Sequence, residues 1–302
     1  MADTFSAHGR ETFVVDYGDE FVIKRPLLAC SLDKKKKWLK KQHTTQKVIT
    51  KIKEKHNPLY NVPEMVHIKD EEFQLLEERA PGKPLTGDLY RSLSVRQQVE
   101  IRNSIVSFLM DMQNLEDVKP AASYKISQEL KMEKFGNIIE TKMPKWFSDD
   151  NIAFAQKLYS YIGSVEYIAP KVWSHGDLSS GNVLYDAQTS VLSFIDFADA
   201  TYHIVDHDII SPLTVDLGIY SGVYSTYIKS HDKKSYDLYG IKPSDMLQIT
   251  KNRLFVIWLK RFIQAGDDLH VNSKNESNNA SKVSFMNKII ENLRRYDKKY
   301  SR

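Results

Sequence analysis

The 302-residue sequence holds a single cysteine, Cys30, which excludes an internal disulfide framework and fits a reducing compartment. Nowhere do about 18 apolar residues follow one another, so no membrane-spanning helix is expected. The opening Met1-Ala2-Asp3-Thr4-Phe5 lacks a basic segment followed by an apolar one, so no secretory signal is expected either. A cytoplasmic protein is the expectation. Internal repeats are absent, and so is a strong excess of one charge, the net value being +4 at pH 7. The exception is local: between Lys34 and Lys55 there are ten lysines against one acid, Glu54. Such a run can draw phosphate, nucleic acid or an anionic surface, and it is equally the solvated face of a helix. No aromatic interleaving or arginine fork accompanies it, so no nucleic-acid partner is expected.

What the chain does contain is 41% hydrophobic and 27% charged residues, ordinary for a globular protein and enough for one large core or two lobes. Its most informative stretch is Ser174-His175-Gly176-Asp177-Leu178-Ser179-Ser180-Gly181-Asn182-Val183-Leu184-Tyr185, followed by Ser193-Phe194-Ile195-Asp196-Phe197. Val183-Leu184-Tyr185 and Val191-Leu192-Ser193-Phe194-Ile195 are β-rich runs around Asp186-Ala187-Gln188-Thr189-Ser190, the pattern of a hairpin. Closing that hairpin would bring Asp196 beside Asn182. Phosphoryl transfer needs a carboxylate to take the acceptor hydroxyl's proton and oxygen ligands for Mg²⁺ beside the phosphates. Asp177 can meet the first need, and Asn182 with Asp196 the second. The bland alternative is a turn at His-Gly-Asp and a strand-end cap at Asp196, which leaves the order and spacing of all three unexplained.

These residues resemble the signature of the aminoglycoside phosphotransferase and choline kinase families, relatives of protein kinases. The resemblance implies an α+β bilobal protein-kinase-like fold, with a small antiparallel-sheet lobe over residues 1–82 and a larger, mainly helical lobe over 83–302. It implies ATP, or another nucleoside triphosphate, and Mg²⁺ as cofactors. The acceptor would be a small molecule bearing a hydroxyl, such as an aminoglycoside, choline or a related amino-alcohol or sugar. The partner is that acceptor alone, and the enzyme a monomer or homodimer.

Further site residues follow from the same resemblance. Thr12–Tyr17 and Glu20–Lys24 are strand candidates about a Gly18-Asp19 turn. Lys24 would contact the non-transferred phosphates, and Ser6, Ala7 and Gly9 would belong to a phosphate-covering loop. Val62–Ile68 and Glu72–Glu77 read as two more strands, leading to a hinge at which the main chain of Glu78 and Ala80 would pair with adenine. Residues 33–56 read as a helix stopped by Asn57-Pro58. The family carries a glutamate on that helix to orient the lysine, but Thr45 or Gln46 stands there, so Lys24 is expected to lack a strong carboxylate partner. His175 is expected to orient the loop, and Asp208 to brace it. A second metal site of His203, Asp206, His207 and Asp208 is the alternative for that segment.

Helical patterns span 94–115, 152–168, 216–228, 245–265 and 282–300, with a polar connector at 272–281. Tyr220, Tyr224 and Tyr227, and Phe255, Trp258 and Phe262, form stripes that read first as helix core and second as a cage for a quaternary ammonium. From Asp199 to Asp268 nine acids face eight bases, no acidic excess to favour a polycation. Two rival functions remain at this point. A protein kinase is disfavoured by His-Gly-Asp, by Ile-Asp-Phe, and by the lack of an Ala-Pro-Glu segment. A nucleotide-binding pseudokinase is favoured by the missing helix carboxylate and disfavoured by Asp177, Asn182 and Asp196.

Overall fold

The computed structural model describes residues 5–8, 12–27, 29–117, 119–125, 127, 130–162, 166–205, 207–209, 219, 222–227, 229–230, 243–269 and 276–300. The chain groups into two compact units, residues 1–119 with 171–239, and 120–170 with 240–302.

In the first unit, β1 (Phe5–His8), β2 (Thr12–Tyr17), β3 (Phe21–Pro26), β5 (Met65–Lys69) and β6 (Gln74–Glu78) form an antiparallel sheet in the order β1-β2-β3-β6-β5. β2 and β3 pair without a break from Thr12↔Pro26 to Tyr17↔Phe21 about Gly18, whose φ of 70° permits the tight reversal. Helix α1 (Leu32–Lys53) buries Trp38, Gln42, Thr45, Val48, Ile49 and Ile52, a stripe at helical spacing. Its lysines are left on the other faces. The Trp38 indole N–H donates to Thr12 Oγ1 at 3.1 Å, tying the helix to β2. The expected strands at Thr12–Tyr17, Glu20–Lys24, Val62–Ile68 and Glu72–Glu77 appear as β2, β3, β5 and β6, with shifted ends, beside the expected helix.

A second sheet carries the motif. β4 (Tyr60–Asn61), β11 (Val191–Phe194), β10 (Val183–Asp186) and β7 (Lys83–Pro84) lie in the order β4-β11-β10-β7. The expected hairpin is β10–β11, paired from Val183↔Phe194 to Asp186↔Val191. Short α2 (Gly87–Ser92) precedes α3 (Val95–Gln113), which opens with a capping box of Ser94 and Gln97. Phe108 of α3 stacks on Phe194 with ring centroids 3.8 Å apart, and Tyr60 meets both rings edge-on. This buried aromatic platform underlies the hairpin, and truncating Phe108, itself fully buried, would cost about 3–5 kcal/mol.

β8 (Lys119–Lys125) falls almost wholly in the second unit, with α4 (Met132–Asn137), α5 (Asp149–Ile162), α6 (Pro243–Asp267) and α7 (Glu276–Tyr300). Phe135, Phe262 and Met286 are in its core. Two expectations need correction here. The helix expected through residue 168 stops at Ile162, and Glu166–Ser174 is strand β9, whose Lys171–Ser174 end pairs with β12 (Thr201–Ile204). The polar connector expected at 272–281 is helical from Glu276 onward, while 272–275 lie outside the described residues. The helix expected over 216–228 is seen at 222–227, and Tyr220 lies outside the described residues. Phe255, Phe262 and Tyr227 are buried, the helix-core reading of the two stripes.

Candidate active site

The loop between β9 and β10 is held from beneath by buried groups. Asp208, 4% exposed, accepts the main-chain N–H of His175 at 2.6 Å and that of Gly176 at 2.9 Å. Carboxylate bonds to N–H groups are of the strong, charge-assisted kind. His175 is fully buried, its ring tilted 4.6 Å from that of Phe197. Its Nε2 pairs with the Ile195 carbonyl at 2.9 Å, and its Nδ1 accepts the Asp177 N–H at 3.4 Å. That pairing assigns the neutral Nε2–H tautomer and ties the loop to the end of β11. Gly176 has φ +90°, and a Cβ there would lie 2.2 Å from the Asp199 carbonyl oxygen. Only glycine fits.

Above these supports lie the polar groups of the motif. Asp177 is exposed, and Asn182 reaches back to it, the amide Nδ2 donating to the Asp177 carbonyl at 2.8 Å and to its Oδ2 at 3.2 Å. The Ile195 N–H donates to the Asn182 carbonyl at 3.1 Å, so the hairpin sets Asp196 next to Asn182. Asp196 adopts the left-handed conformation (φ 62°, ψ 62°), rare for a non-glycine residue, which turns the chain from β11 into the 197–199 turn.

Lys24, Glu77, Glu78, Arg79, Ala80, Asn182 and Asp196 line one cavity of about 280 Å³, with Val14, Val22, Ile49, Met65 and Leu184 as its apolar walls. Arg79 anchors the rim, its guanidinium 2.7 Å from Asp16 and its main-chain N–H donating to the Glu20 carbonyl at 2.7 Å. At Gly82 (φ +99°) a Cβ would lie 2.5 Å from the Tyr185 carbonyl, so the chain leaving the cavity crosses the hairpin at backbone contact.

Several expectations are revised. Lys24 does have a carboxylate partner: its ammonium lies 2.7 Å from Glu77 Oε1. The helix supplies none, for the Thr45 hydroxyl donates to the Phe197 carbonyl at 3.1 Å and the Gln46 amide to the Met65 carbonyl at 3.4 Å. Burial pulls the Lys24 ammonium down, yet Glu77 and Asp196 outweigh it and hold the group above its ordinary value. Ser6 lies within strand β1 rather than in a connecting loop, and Gly9 lies outside the described residues. Among the described residues no cluster of three or more His, Cys, Asp or Glu is arranged to hold a metal, so the second metal site is not found; Asp206 lies outside them. Glu77 is the site residue the sequence reading missed. Its signal was the alternation of Gln74–Glu78, which puts an acid on the same buried face as Leu75.

A family model described as the phosphotransferase enzyme family matches residues 7–219. The chain belongs to this family. It is accordingly a small-molecule kinase. A search of curated proteins finds no sequence match to this phosphotransferase. Solved structures resemble it in fold at low identity. The GDP complex of wild-type aminoglycoside 2'-phosphotransferase-IIIa is 12% identical, with a TM-score of 0.62 over 97% of this chain and 93% of that one. Aminoglycoside phosphotransferase APH(2'')-Ib, ADP-bound, is 14% identical, with a TM-score of 0.57 over 95% and 93%. Amicoumacin kinase hAmiN in complex with AMP-PNP, Ca²⁺ and Ami is 14% identical, with a TM-score of 0.51 over 96% and 88%. Among the described residues no helix is long and apolar enough to cross a membrane.

Proposed function

We propose that this phosphotransferase uses ATP, or another nucleoside triphosphate, with Mg²⁺ to phosphorylate a hydroxyl of a small molecule: an aminoglycoside, choline, or a related amino-alcohol or sugar. The observation that carries this reading is the convergence of Lys24, Asn182 and Asp196 on one cavity, with Asp177 hydrogen-bonded to Asn182. Residues 1–82 serve as the nucleotide-binding lobe and 83–302 as the catalytic and acceptor-binding lobe. The enzyme works in the cytoplasm as a monomer or homodimer.

The donor set suits Mg²⁺. The amide oxygen of Asn182 and the carboxylate of Asp196 are hard ligands, and two protein ligands beside phosphates and waters is the usual complement of that ion. Held by Asn182 and Asp196, Mg²⁺ would supply neutralising charge to the phosphates. Asp177 orients the acceptor hydroxyl and receives its proton as the new O–P bond forms and the bond to the leaving ADP breaks. Lys24, charged and buried, braces the phosphates that stay behind. The main chain at Glu78 and Ala80 offers the adenine edge its partners. Catalysis of this kind is positioning and charge neutralisation. The neighbours in fold include proteins with GDP, ADP and AMP-PNP bound, which supports a nucleotide in this cavity.

The test is ADP release over a panel of choline, ethanolamine, amino-sugars, aminoglycosides, hydroxy-amino acids and sugar alcohols, repeated with Asp177→Asn. Turnover with one class, lost in the variant at unchanged ATP affinity, is the expected result. A loss below about tenfold, some 1.4 kcal/mol of barrier, would take Asp177 out of the base role. Transfer to polypeptides alone would point instead to a protein kinase, and nucleotide binding without any transfer to a pseudokinase.

A further inference from the structure

Lys24 and Glu77 sit on neighbouring antiparallel strands. Val22 pairs with Glu77 and Lys24 with Leu75, so the ion pair is a diagonal two residues off register, on one face of the sheet. Both side chains are largely buried, at 16% and 6% exposure. Helix α1 meets the same cavity through Gln42, Thr45 and Ile49, none of them a carboxylate. Of the other acids on the cavity wall, Glu78 turns its carboxylate to the Glu64 N–H at 2.8 Å, and Asp196 belongs to the Mg²⁺ set. We infer that Glu77 is the positioning residue for Lys24, so that the phosphate-bracing lysine is set by the register of β3 and β6 and not by the docking of helix α1. The inference rests on the phosphotransfer reading.

A signed consequence follows. Glu77 is a buried carboxylate in the cavity proposed for a triphosphate, tolerable there because Lys24 neutralises it. Taking away Lys24 alone leaves the carboxylate unpaired and facing phosphate. Taking away both charges relieves that repulsion. A lysine braced from the helix would show neither effect at Glu77.

The experiment compares wild type, Glu77→Gln, Lys24→Met and the double variant Lys24→Met/Glu77→Gln. Each is measured for binding of Mg·ATP and of adenosine, for ADP release without acceptor, and for thermal unfolding. Glu77→Gln should lower ADP release by about ten- to a hundredfold, the range for one charged hydrogen bond, with adenosine affinity unchanged. Lys24→Met should bind ATP far more weakly, and the double variant should recover several-fold in ATP affinity over Lys24→Met while adenosine stays level. Wild-type turnover in Glu77→Gln, or a double variant binding ATP no better than Lys24→Met, would overturn the inference. A pair that only held the fold together would move the unfolding temperature and leave the ATP-to-adenosine ratio alone, which also overturns it. Failure of wild type to bind ATP at all would instead overturn the phosphotransfer reading, and the inference with it.

Discussion

Asp208→Asn is the sharpest single probe of the loop that carries Asp177. The carboxylate accepts two main-chain N–H groups, from His175 at 2.6 Å and Gly176 at 2.9 Å, in a buried setting. The isosteric amide keeps one oxygen, so one N–H retains its partner and the other meets an NH₂ group. The lost charged bond is worth roughly 1.5–3 kcal/mol, and a stranded buried donor adds about 1–3 kcal/mol. A local loss of roughly 2.5–6 kcal/mol is smaller than most of the total stability range of a typical domain, about 5–15 kcal/mol, so the variant should still fold. The loop should not hold its place. Asp177 begins one residue beyond the second bond, and a displacement near 1 Å in a positioned group can cost about a hundredfold in rate. Three readouts apply: ADP release, thermal unfolding, and hydrogen exchange at the amides of 175 and 176. Activity within about threefold of wild type, roughly 0.7 kcal/mol, together with unchanged protection of those amides, would refute the argument that Asp208 fixes the loop.

Two shorter predictions accompany it. Gly176→Ala should cut turnover by about a hundredfold or more, because its Cβ would stand 2.2 Å from the Asp199 carbonyl at φ +90°; near-normal activity, measured by the same ADP assay, would show that the two segments can part freely. Glu116 accepts from Lys51, the Trp173 indole and the Tyr202 hydroxyl, Lys51 first among the causes that lower its pKa to about 2. Its stabilising contribution is present above its ordinary value near 4.5 and is lost as pH falls toward 2. Glu116 is exposed, so the effect is small. Acid unfolding curves of wild type and Glu116→Gln should converge as pH falls, and a constant gap between them would count against the assignment.

Where the chain is punctuated locally, the structure could be read from it. Strand Thr12–Tyr17, the reversal at Gly18-Asp19, the hairpin about 186–190, and the stop of α1 before Pro58 depend on alternation, turn residues and proline geometry that sit within a few positions of one another. β9 is hard to read because Ala169 and Pro170 interrupt its apolar alternation, and its sheet neighbours, Thr201–Ile204 and Lys119–Lys125, are distant in sequence. The first turns of α7 were missed because Glu276-Ser277-Asn278-Asn279 has no apolar period; Asn279 is nonetheless buried in the fold. The partner of Lys24 does not stand on helix α1, where the resembled families carry it. Glu77 is 53 residues distant and is brought close by which strands neighbour which, a property no short window contains.

The candidate site divides its polar residues by depth, and the division tells which of them can act. His175 and Asp208 are buried and fully committed, one to the Ile195 carbonyl and the Asp177 N–H, the other to two main-chain N–H groups. Both ring nitrogens of His175 are thus taken up by the main chain, which makes it a support of the loop. Asp177 and Asp196 are exposed. Asp177 spends one carboxylate oxygen on the Asn182 amide, and that bond does not need the other. Asp196 is held in a left-handed conformation that costs about 1–2 kcal/mol for an L-residue. The bond from the Ile195 N–H to the Asn182 carbonyl sets the residue just before that turn. A cost of that size at a residue with so little burial to offset it makes sense if the orientation of the carboxylate, toward the cavity it shares with Lys24 and Asn182, is what the turn maintains.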